Sequence, residues 1–204
     1  KAQVRLIDKD GKFVKEVYTN EVGDYSIEIP FKSTITIEAT KEKHSIFSVT
    51  YMDEELEAIQ EKAFNMGIKF LDDLVEEQED QTVVKLKKFY FDKGQSIITP
   101  EIAQELDKVV DVMTRFPQLQ LRVESHTDSR GGSSANFTLS QKRADAIKKY
   151  LLQEDVPAGS ILYSIGYGEE KLLNGCKNGV FCLDMLHSKN ERSLIVVLNY
   201  NLLY

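Results

Sequence analysis

The sequence predicts an α+β protein, in which one sheet carries helices on one face and a small antiparallel β-sandwich precedes it. Residues 1–51 hold short strand patterns separated by turn residues. Residues 52–83 are acidic with helical apolar spacing, and residues 84–204 follow the order βαβα…ββ. We therefore expect a sandwich over 1–51, an acidic helical connector over 52–83 and a main domain over 84–204.

The front segment alternates apolar and polar residues over short runs. Apolar alternation starts at Val4 and Leu6, and Asp8-Lys9-Asp10-Gly11 then supplies a turn. The remaining strand candidates are Phe13–Tyr18, Tyr25–Ile29, Thr34–Ala39 and Ser45–Tyr51. Strands this short, with turns this regular, favour a small antiparallel sandwich.

The connector carries an apolar stripe at spacings of three and four residues. Its members are Leu56, Ile59, Ala63, Met66, Phe70 and Leu74. This spacing predicts a helix, interrupted at Gly67. A connector packed on one neighbour explains the stripe most simply, and a dedicated partner-binding helix is the alternative.

The main domain opens with a strand candidate at Val83–Phe91. Thr99-Pro100-Glu101 is a typical helix start, and Pro117 ends that helix. A second helix is expected from Phe137 to Gln153, with Thr138 and Gln141 as a capping box. The other strand candidates are Leu119–Val123, Ile161–Ile165 and Leu194–Tyr200, with an irregular loop before the last of them.

Charge and hydropathy exclude several classes of function. The acidity is concentrated in residues 51–83, which carry eleven acidic and two basic side chains, so the near-neutral main domain has no field that would gather nucleic acid. The longest apolar run, Leu194–Leu198, is far shorter than the roughly 20 residues of a membrane span. The chain opens at Lys1 without an apolar targeting segment, as expected of a processed protein or an excised fragment.

Arg143 is the most informative single residue. Leu139, Arg143 and Ile147 lie on one line of the second helix, so the guanidinium interrupts an apolar stripe. It either extends to solvent or enters a cleft beside a carboxylate, and Asp128 lies in the loop just upstream. An Asp–Arg pair can receive a zwitterion, with Asp taking an ammonium and Arg a carboxylate. The two residues could equally pin the loop to the helix.

The only two cysteines, Cys176 and Cys182, are separated by five residues. This spacing does not fit a zinc knuckle or a redox pair. A local disulfide is the leading interpretation and free thiols the alternative. A disulfide would imply an oxidising compartment.

Several ordered motifs resemble the C-terminal domain family of outer-membrane protein A (OmpA), which includes peptidoglycan-associated lipoproteins and flagellar stator anchors. They are Phe91-Asp92, Val123-Glu-Ser-His-Thr-Asp-Ser-Arg-Gly131, Asn136-x-x-Leu-Ser-x-x-Arg-Ala144, Gly166-Tyr-Gly-Glu169 and Asn190-x-Arg192. The resemblance covers about residues 84–204. It implies a non-enzymatic domain without cofactor or metal that binds peptidoglycan through the diaminopimelate of the stem peptide.

The resemblance also implies residue roles. Asp128 holds the ligand ammonium, and Arg143 holds its carboxylate. The residues expected to assist are Asn136, Thr127, Asp92, Gly94 and Arg192. The location implied is the periplasm, associated with the outer membrane, with envelope or secretion-complex proteins as further partners.

Three departures separate this chain from the family pattern. Ser125 replaces a usual Gly before His-Thr-Asp, Glu191 replaces the first of two consecutive Arg, and Leu172 or Leu173 stands at a usual Pro. Glu191 removes one cationic contact and motivates an alternative function, a protein–protein docking module whose peptidoglycan site is weakened or vestigial. An enzyme acting on peptidoglycan is the third hypothesis, disfavoured because the sequence offers no nucleophile, metal cluster or acid pair.

The front segment adds a second resemblance. Lys9 to Pro30 is similar to the carboxypeptidase regulatory-like fold, on Asp-x-x-Gly and on Thr19-x-x-x-Gly-x-Tyr25. The resemblance implies a sandwich truncated at its front, because the usual first strand of that fold is missing before Lys1. A sandwich of this kind before an OmpA-like domain, together with the cysteine loop, resembles Bacteroidetes-type envelope lipoproteins. Among these is the anchoring subunit of the type IX secretion apparatus.

Overall fold

The computed structural model describes residues 1–29, 33–52, 54–55, 68 and 70–200. The chain divides into two compact units, the first running from Lys1 to Asp73 and the second beginning at Leu74. In the part of the chain that the structure describes, no helix has the length and apolar character needed to cross a bilayer.

The first unit is a four-stranded antiparallel sheet in the order β2-β1-β3-β4. Its strands are β1 Gln3–Asp8, β2 Phe13–Tyr18, β3 Ile35–Thr40 and β4 Phe47–Tyr51. Asp8 forms the first turn because its Oδ1 accepts hydrogen bonds from the backbone N–H groups of Asp10 and Lys12. The core consists of Val4, Leu6, Ile35, Ile37, Ala39 and Tyr51.

The predicted strand Tyr25–Ile29 is wrong. These residues form no ladder, although Tyr25, Ile27 and Ile29 pack against the core of the sheet. Their alternation therefore reflects burial of every second side chain and not strand pairing. Residues 1–29 and 33–52 contain this one sheet, so the predicted two-sheet sandwich is not seen there.

The second unit confirms the predicted α+β fold class. Its five-stranded sheet has the order β5-β6-β9-β7-β8, in which β7 and β8 are parallel and the other pairs antiparallel. The strands are β5 Val75–Gln78, β6 Gln81–Val84, β7 Leu121–His126, β8 Ile161–Gly168 and β9 Arg192–Val197. The helices are α1 Pro100–Arg115, α2 Ser133–Gln153 and α3 Asp184–Asn190.

A hairpin corrects the predicted connector. Residues 75–84 form β5 and β6, which join the main sheet through β9, so the helical prediction is wrong for this part of 52–83. Glu79 and Asp80 both have positive φ, as a two-residue hairpin turn requires, and β-branched Val75, Val83 and Val84 favour strands. The stripe residues Leu56, Ile59, Ala63 and Met66 lie outside the described residues.

The first main-domain strand is shorter than predicted. The sequence predicted Val83–Phe91, whereas β6 ends at Val84. The backbone N–H of Lys87 donates instead to Oε2 of the buried Glu105 on α1, at 2.7 Å. This contact with α1 therefore uses a backbone N–H group that a longer strand would pair with its neighbour.

The helix boundaries were predicted with mixed success. Helix α1 begins as expected, with Thr99 Oγ1 accepting from the backbone N–H of Ile102. Helix α2 begins at Ser133, four residues before the predicted Phe137, and Thr138 Oγ1 donates to the carbonyl of Ser134 instead of capping. Helix α3 occupies part of the segment predicted to be an irregular loop.

Two glycines allow α2 to lie directly on β8. A Cβ added to Gly166 would stand 2.1 Å from the backbone nitrogen of Gln141, and one on Gly168 would stand 2.9 Å from that of Phe137. The Gly168 N–H also donates to Ser140 Oγ at 2.8 Å. This close approach fixes the depth at which α2 presents Arg143.

Cys176 and Cys182 are bonded to each other in the structure. Cys176 is buried, and its carbonyl accepts a hydrogen bond from Ser129 Oγ at 2.6 Å. The disulfide therefore braces a loop that contacts the segment after β7.

Reducing this disulfide is expected to loosen residues 176–182 while leaving the sheet and helices folded. A closed loop of about seven residues contributes only about 2 kcal/mol to stability in the chain-entropy model. Scanning calorimetry with and without reductant should show a Tm lower by several degrees and the same cooperative transition. Collapse of the transition on reduction would contradict this local role.

Candidate functional site

The candidate site lies where three segments meet at the end of β7. They are the loop 127–132 that leads into α2, the turn 92–95 that precedes α1, and the α2 face carrying Arg143. The parallel pairing of β7 with β8 continues into this loop, since Thr127 N–H donates to the Gly168 carbonyl at 2.9 Å. The loop is therefore fixed at its base.

Arg143 is a buried cation held by backbone carbonyls. The residue is 3% exposed, so of the two alternatives, extension to solvent is excluded. Nε donates to the Gln95 carbonyl at 2.9 Å and Nη2 to the Asp92 carbonyl at 3.2 Å, while the Phe91 ring centroid lies 5.1 Å from the guanidinium carbon. Among the described residues, no carboxylate oxygen lies within 4 Å of the guanidinium.

The electrostatics of Arg143 favour an anion. Burial lowers the pKa of the guanidinium, and the negative charges of Glu191 and Asp128 oppose that shift from a distance. A buried charge without a direct counterion is costly, and an incoming carboxylate would offset part of that cost. The arrangement is therefore suited to binding an anionic group.

Asp128 is paired, and its partner is not the one predicted. Its side chain is buried, and Oδ1 accepts from the backbone N–H of Arg130 at 2.9 Å. Oδ2 lies 2.6 Å from both Nε and Nη2 of the same Arg130. A direct Asp128–Arg143 pair that pins loop to helix is therefore not found. The predicted ligand roles of the two residues remain predictions.

Asn136 ties the loop to α2. Its Nδ2 donates to the Asp128 carbonyl at 3.3 Å and to Glu169 Oε2 at 2.6 Å. Thr127 is buried, and its Oγ1 has no hydrogen-bond partner within the described ranges. An unpaired buried hydroxyl is unusual, and it is consistent with the assisting role predicted for Thr127.

Asp92 and Gly94 shape the turn beneath Arg143. The Gln95 N–H donates to the Asp92 carbonyl at 2.9 Å, and Gly94 has φ +70°, which favours glycine. The turn directs the carbonyls of Asp92 and Gln95 toward the guanidinium. The structure thus gives Asp92 and Gly94 a positioning role, and direct ligand contact stays a prediction.

Arg192 contacts other parts of the protein, and its predicted ligand contact stays a prediction. Its guanidinium pairs with the Glu79 carboxylate and donates to the carbonyls of Asn190 and Lys171, and the residue is 8% exposed. Glu79 comes from the β5–β6 turn, which the sequence had assigned to a helix. Because its donors are already engaged, Arg192 anchors the hairpin.

Glu124 and His126 form a buried pair beneath the loop. Glu124 Oε2 lies 3.5 Å from His126 Nε2, and Glu124 Oε1 lies 2.7 Å from Arg122 Nε. Burial works to raise the pKa of Glu124, but the nearby His126 ring and the charge of Arg122 outweigh it and lower this pKa. Burial lowers the pKa of His126, whose ring stacks on Tyr167. The pair lies on β7, at the base of the loop.

Sequence reasoning missed Arg130, Asp184 and Glu169. Arg130 bridges the buried Asp128 and the exposed Asp184 of α3, the latter through Nη1 at 2.7 Å. Its proximity to Asp128 could have been found, because an Asp side chain commonly accepts from the N–H two residues later. Asp184 lies 54 residues further along the chain, and no local pattern indicates that contact.

Comparison with known proteins places the second unit among relatives. Residues 90–180 match the OmpA family. The chain is 30% identical over 145 residues to a peptidoglycan-associated lipoprotein of Buchnera aphidicola, covering 69% of this chain and 80% of that protein. It is 31% identical over 119 residues to the peptidoglycan-associated lipoprotein of Brucella melitensis, covering 58% and 67% of the two chains.

Two further comparisons agree with these. Outer membrane porin F of Pseudomonas fluorescens is 38% identical over 84 residues, 41% of this chain and 25% of that protein. A MotB-like protein from Desulfovibrio vulgaris has a similar fold, with a TM-score of 0.50, 17% identity and coverage of 62% and 80%.

The predicted periplasmic location, associated with the outer membrane, is confirmed by the relatives. With identity sustained across most of the length of a lipoprotein relative, the chain belongs to the OmpA family.

Proposed function

We propose that the second unit binds peptidoglycan non-covalently, through the zwitterionic end of diaminopimelate in the stem peptide. The observation that carries this proposal is the buried Arg143, which has no carboxylate within 4 Å among the described residues and lies beside a loop carrying the buried Asp128. The relatives named peptidoglycan-associated lipoprotein support the same polymer as ligand.

The chemistry of the ligand matches the two charges. The free end of diaminopimelate carries an ammonium and a carboxylate on one carbon. The Arg143 fork takes the carboxylate, with charge-assisted hydrogen bonds that are stronger than neutral ones. Asp128 takes the ammonium, Thr127 belongs to the same loop, and Asn136 contacts that loop from α2. No bond is made or broken, so the role is anchoring, of an envelope complex or of a secretion complex such as the type IX apparatus.

A docking module is the second candidate, favoured by an exposed apolar segment near α3. Phe181 is 91% exposed and Met185 68% exposed, and Val180 and Leu183 are also exposed. Clustered exposed apolar side chains mark contact surfaces. The ion pair of Arg192 with Glu79 also supports this candidate, because it competes with a ligand contact by Arg192.

Titration with defined peptides tests the proposal. Calorimetry should show saturable binding of a stem tripeptide ending in meso-diaminopimelate, and loss of binding when the distal carboxylate is amidated, since Arg143 then has no anion to pair. Purified sacculi should co-sediment the chain without releasing soluble fragments. Equal binding of the amidated peptide would exclude Arg143 as the receptor. Absence of binding to both peptides and sacculi would favour the docking module, and released fragments would indicate an enzyme.

A further inference from the structure

Arg130 occupies the position that the proposed function gives to the ligand ammonium. Both carboxylate oxygens of Asp128 are taken by Arg130, Oδ1 by its backbone N–H and Oδ2 by two nitrogens of its guanidinium. Asp128 itself is only 4% exposed. A ligand ammonium therefore reaches Oδ2 only if this guanidinium moves away.

We infer that Arg130 is a specificity-determining residue, an internal counterion of Asp128 that only a ligand carrying both an ammonium and a carboxylate displaces. The inference rests on the proposed function. It adds that the site admits an ammonium group only when the ligand also carries a carboxylate. A ligand with an amine alone replaces one cation at Asp128 by another. The contact of Asp128 with two nitrogens of the Arg130 guanidinium is then lost. A zwitterion also gains Arg143, the buried cation that has no direct carboxylate partner within the described ranges.

The structure supplies a second position for the displaced guanidinium. The Arg130 side chain is half exposed, and its Nη1 already donates to Asp184 Oδ1 at 2.7 Å. Asp184 is 91% exposed on α3, so it can accept further donors from Arg130. The disulfide loop before α3 is tied to the site loop through Ser129 and Cys176. A displaced Arg130 guanidinium therefore loses Asp128 but keeps Asp184 as an acidic partner.

Two variants with opposite expected effects test this exchange. Arg130→Gln removes the internal cation and should tighten binding of the diaminopimelate tripeptide about tenfold, while Asp184→Asn should weaken it about threefold because the displaced guanidinium loses its second acceptor. The tripeptide carries more carboxylates than ammonium groups. A simple effect of net charge would therefore weaken binding in Arg130→Gln and tighten it in Asp184→Asn, the reverse of both expectations.

Specificity gives the second readout. A tripeptide with lysine in place of diaminopimelate keeps the distal amine but lacks its carboxylate, so the wild type should bind it poorly. Arg130→Gln should gain affinity for it and lower the discrimination between the two peptides, and Arg130→Lys should restore part of that discrimination. Arg115→Gln on α1 removes the same charge from a surface pair with Asp111 and should leave both affinities unchanged.

The outcomes separate the inference from the proposed function. If Arg130→Gln binds the diaminopimelate tripeptide as tightly as the wild type or less tightly, the inference is overturned, while binding of diaminopimelate by the wild type still stands. Binding that appears only in Arg130→Gln would show that the zwitterion does not displace Arg130 in the wild type, and would overturn the inference. Failure of every protein to bind either peptide would overturn the proposed function, and the inference with it.

Discussion

Replacing Arg143 with alanine is expected to abolish binding of the diaminopimelate tripeptide and to destabilise the second unit. Removing one partner of a buried, hydrogen-bonded charge pair typically costs about 2–5 kcal/mol of binding. In the fold, the substitution also leaves the Gln95 carbonyl without its donor and opens a gap on the buried line of α2. An unsatisfied buried acceptor costs about 1–3 kcal/mol. Calorimetric titration and urea unfolding measure the two effects separately.

Two companion variants separate charge from geometry. Arg143→Lys keeps the charge but cannot form the two-pronged contact with a carboxylate, so binding should fail again. Asp128→Ala should also abolish binding, with a smaller loss of stability, because its carboxylate bonds only within the segment 128–130. Arg115→Ala, from an exposed pair on α1, is the matched control and should change neither quantity.

Three results would contradict this assignment. Retained binding in Asp128→Ala would place the ammonium elsewhere, and retained binding in Arg143→Lys would mean that a point charge is sufficient. Loss of binding in the Arg115→Ala control would point to a long-range charge effect. Both residues belong to the site if binding is lost in Arg143→Ala, Arg143→Lys and Asp128→Ala and is retained in Arg115→Ala.

The parts of the fold that were predictable are those with local causes. Helix α1 was located correctly because Thr99 and Pro100 supply a cap and a first turn that depend on neighbours only. The start of α2 was missed because Ser133 and Ser134 look like loop residues, and the N-cap residue Gly132 has no side chain that could mark the start. Capping residues and apolar spacing thus predict α1 along its whole length. For α2 they predict only the part that carries the apolar stripe.

Long-range pairing explains the larger errors. The β5–β6 hairpin lies in an acidic segment whose apolar spacing also fits a helix, and its place is decided by pairing with β9 and by the Glu79–Arg192 ion pair, 113 residues apart. The same contact engages Arg192, one of the residues predicted to assist at the site. Sequence spacing carries no information on such contacts.

The core of the site was more accessible to sequence reasoning. Arg143 was identified because a guanidinium on an apolar helical line needs a polar partner, and the structure supplies the carbonyls of Asp92 and Gln95. The acid expected opposite it was Asp128, yet that carboxylate is held by Arg130. Residue spacing thus indicates which charges lie at the site. Which of the two nearby arginines pairs with Asp128 depends on the three-dimensional structure.

Replacing Gly166 with alanine is expected to give the largest loss of stability of any single methyl addition to the β8–α2 contact. The added Cβ would stand 2.1 Å from the Gln141 nitrogen and 2.5 Å from the Ser140 carbonyl carbon, both backbone atoms of α2 that no rotamer change can move. Overpacking of this kind costs about 1–3 kcal/mol and more where backbone must shift, so we expect at least about 3 kcal/mol in urea unfolding.

Gly159→Ala provides the matched control, because no heavy atom lies within 4 Å of its added Cβ and its φ is not positive. It should leave the urea midpoint nearly unchanged. If Gly166→Ala folds at all, α2 must move away from β8 and carry Arg143 away from the carbonyls of Asp92 and Gln95, so tripeptide binding should fall together with stability. A Gly166→Ala protein with wild-type stability and affinity would show that the approach of α2 to β8 does not set the depth of the anion site.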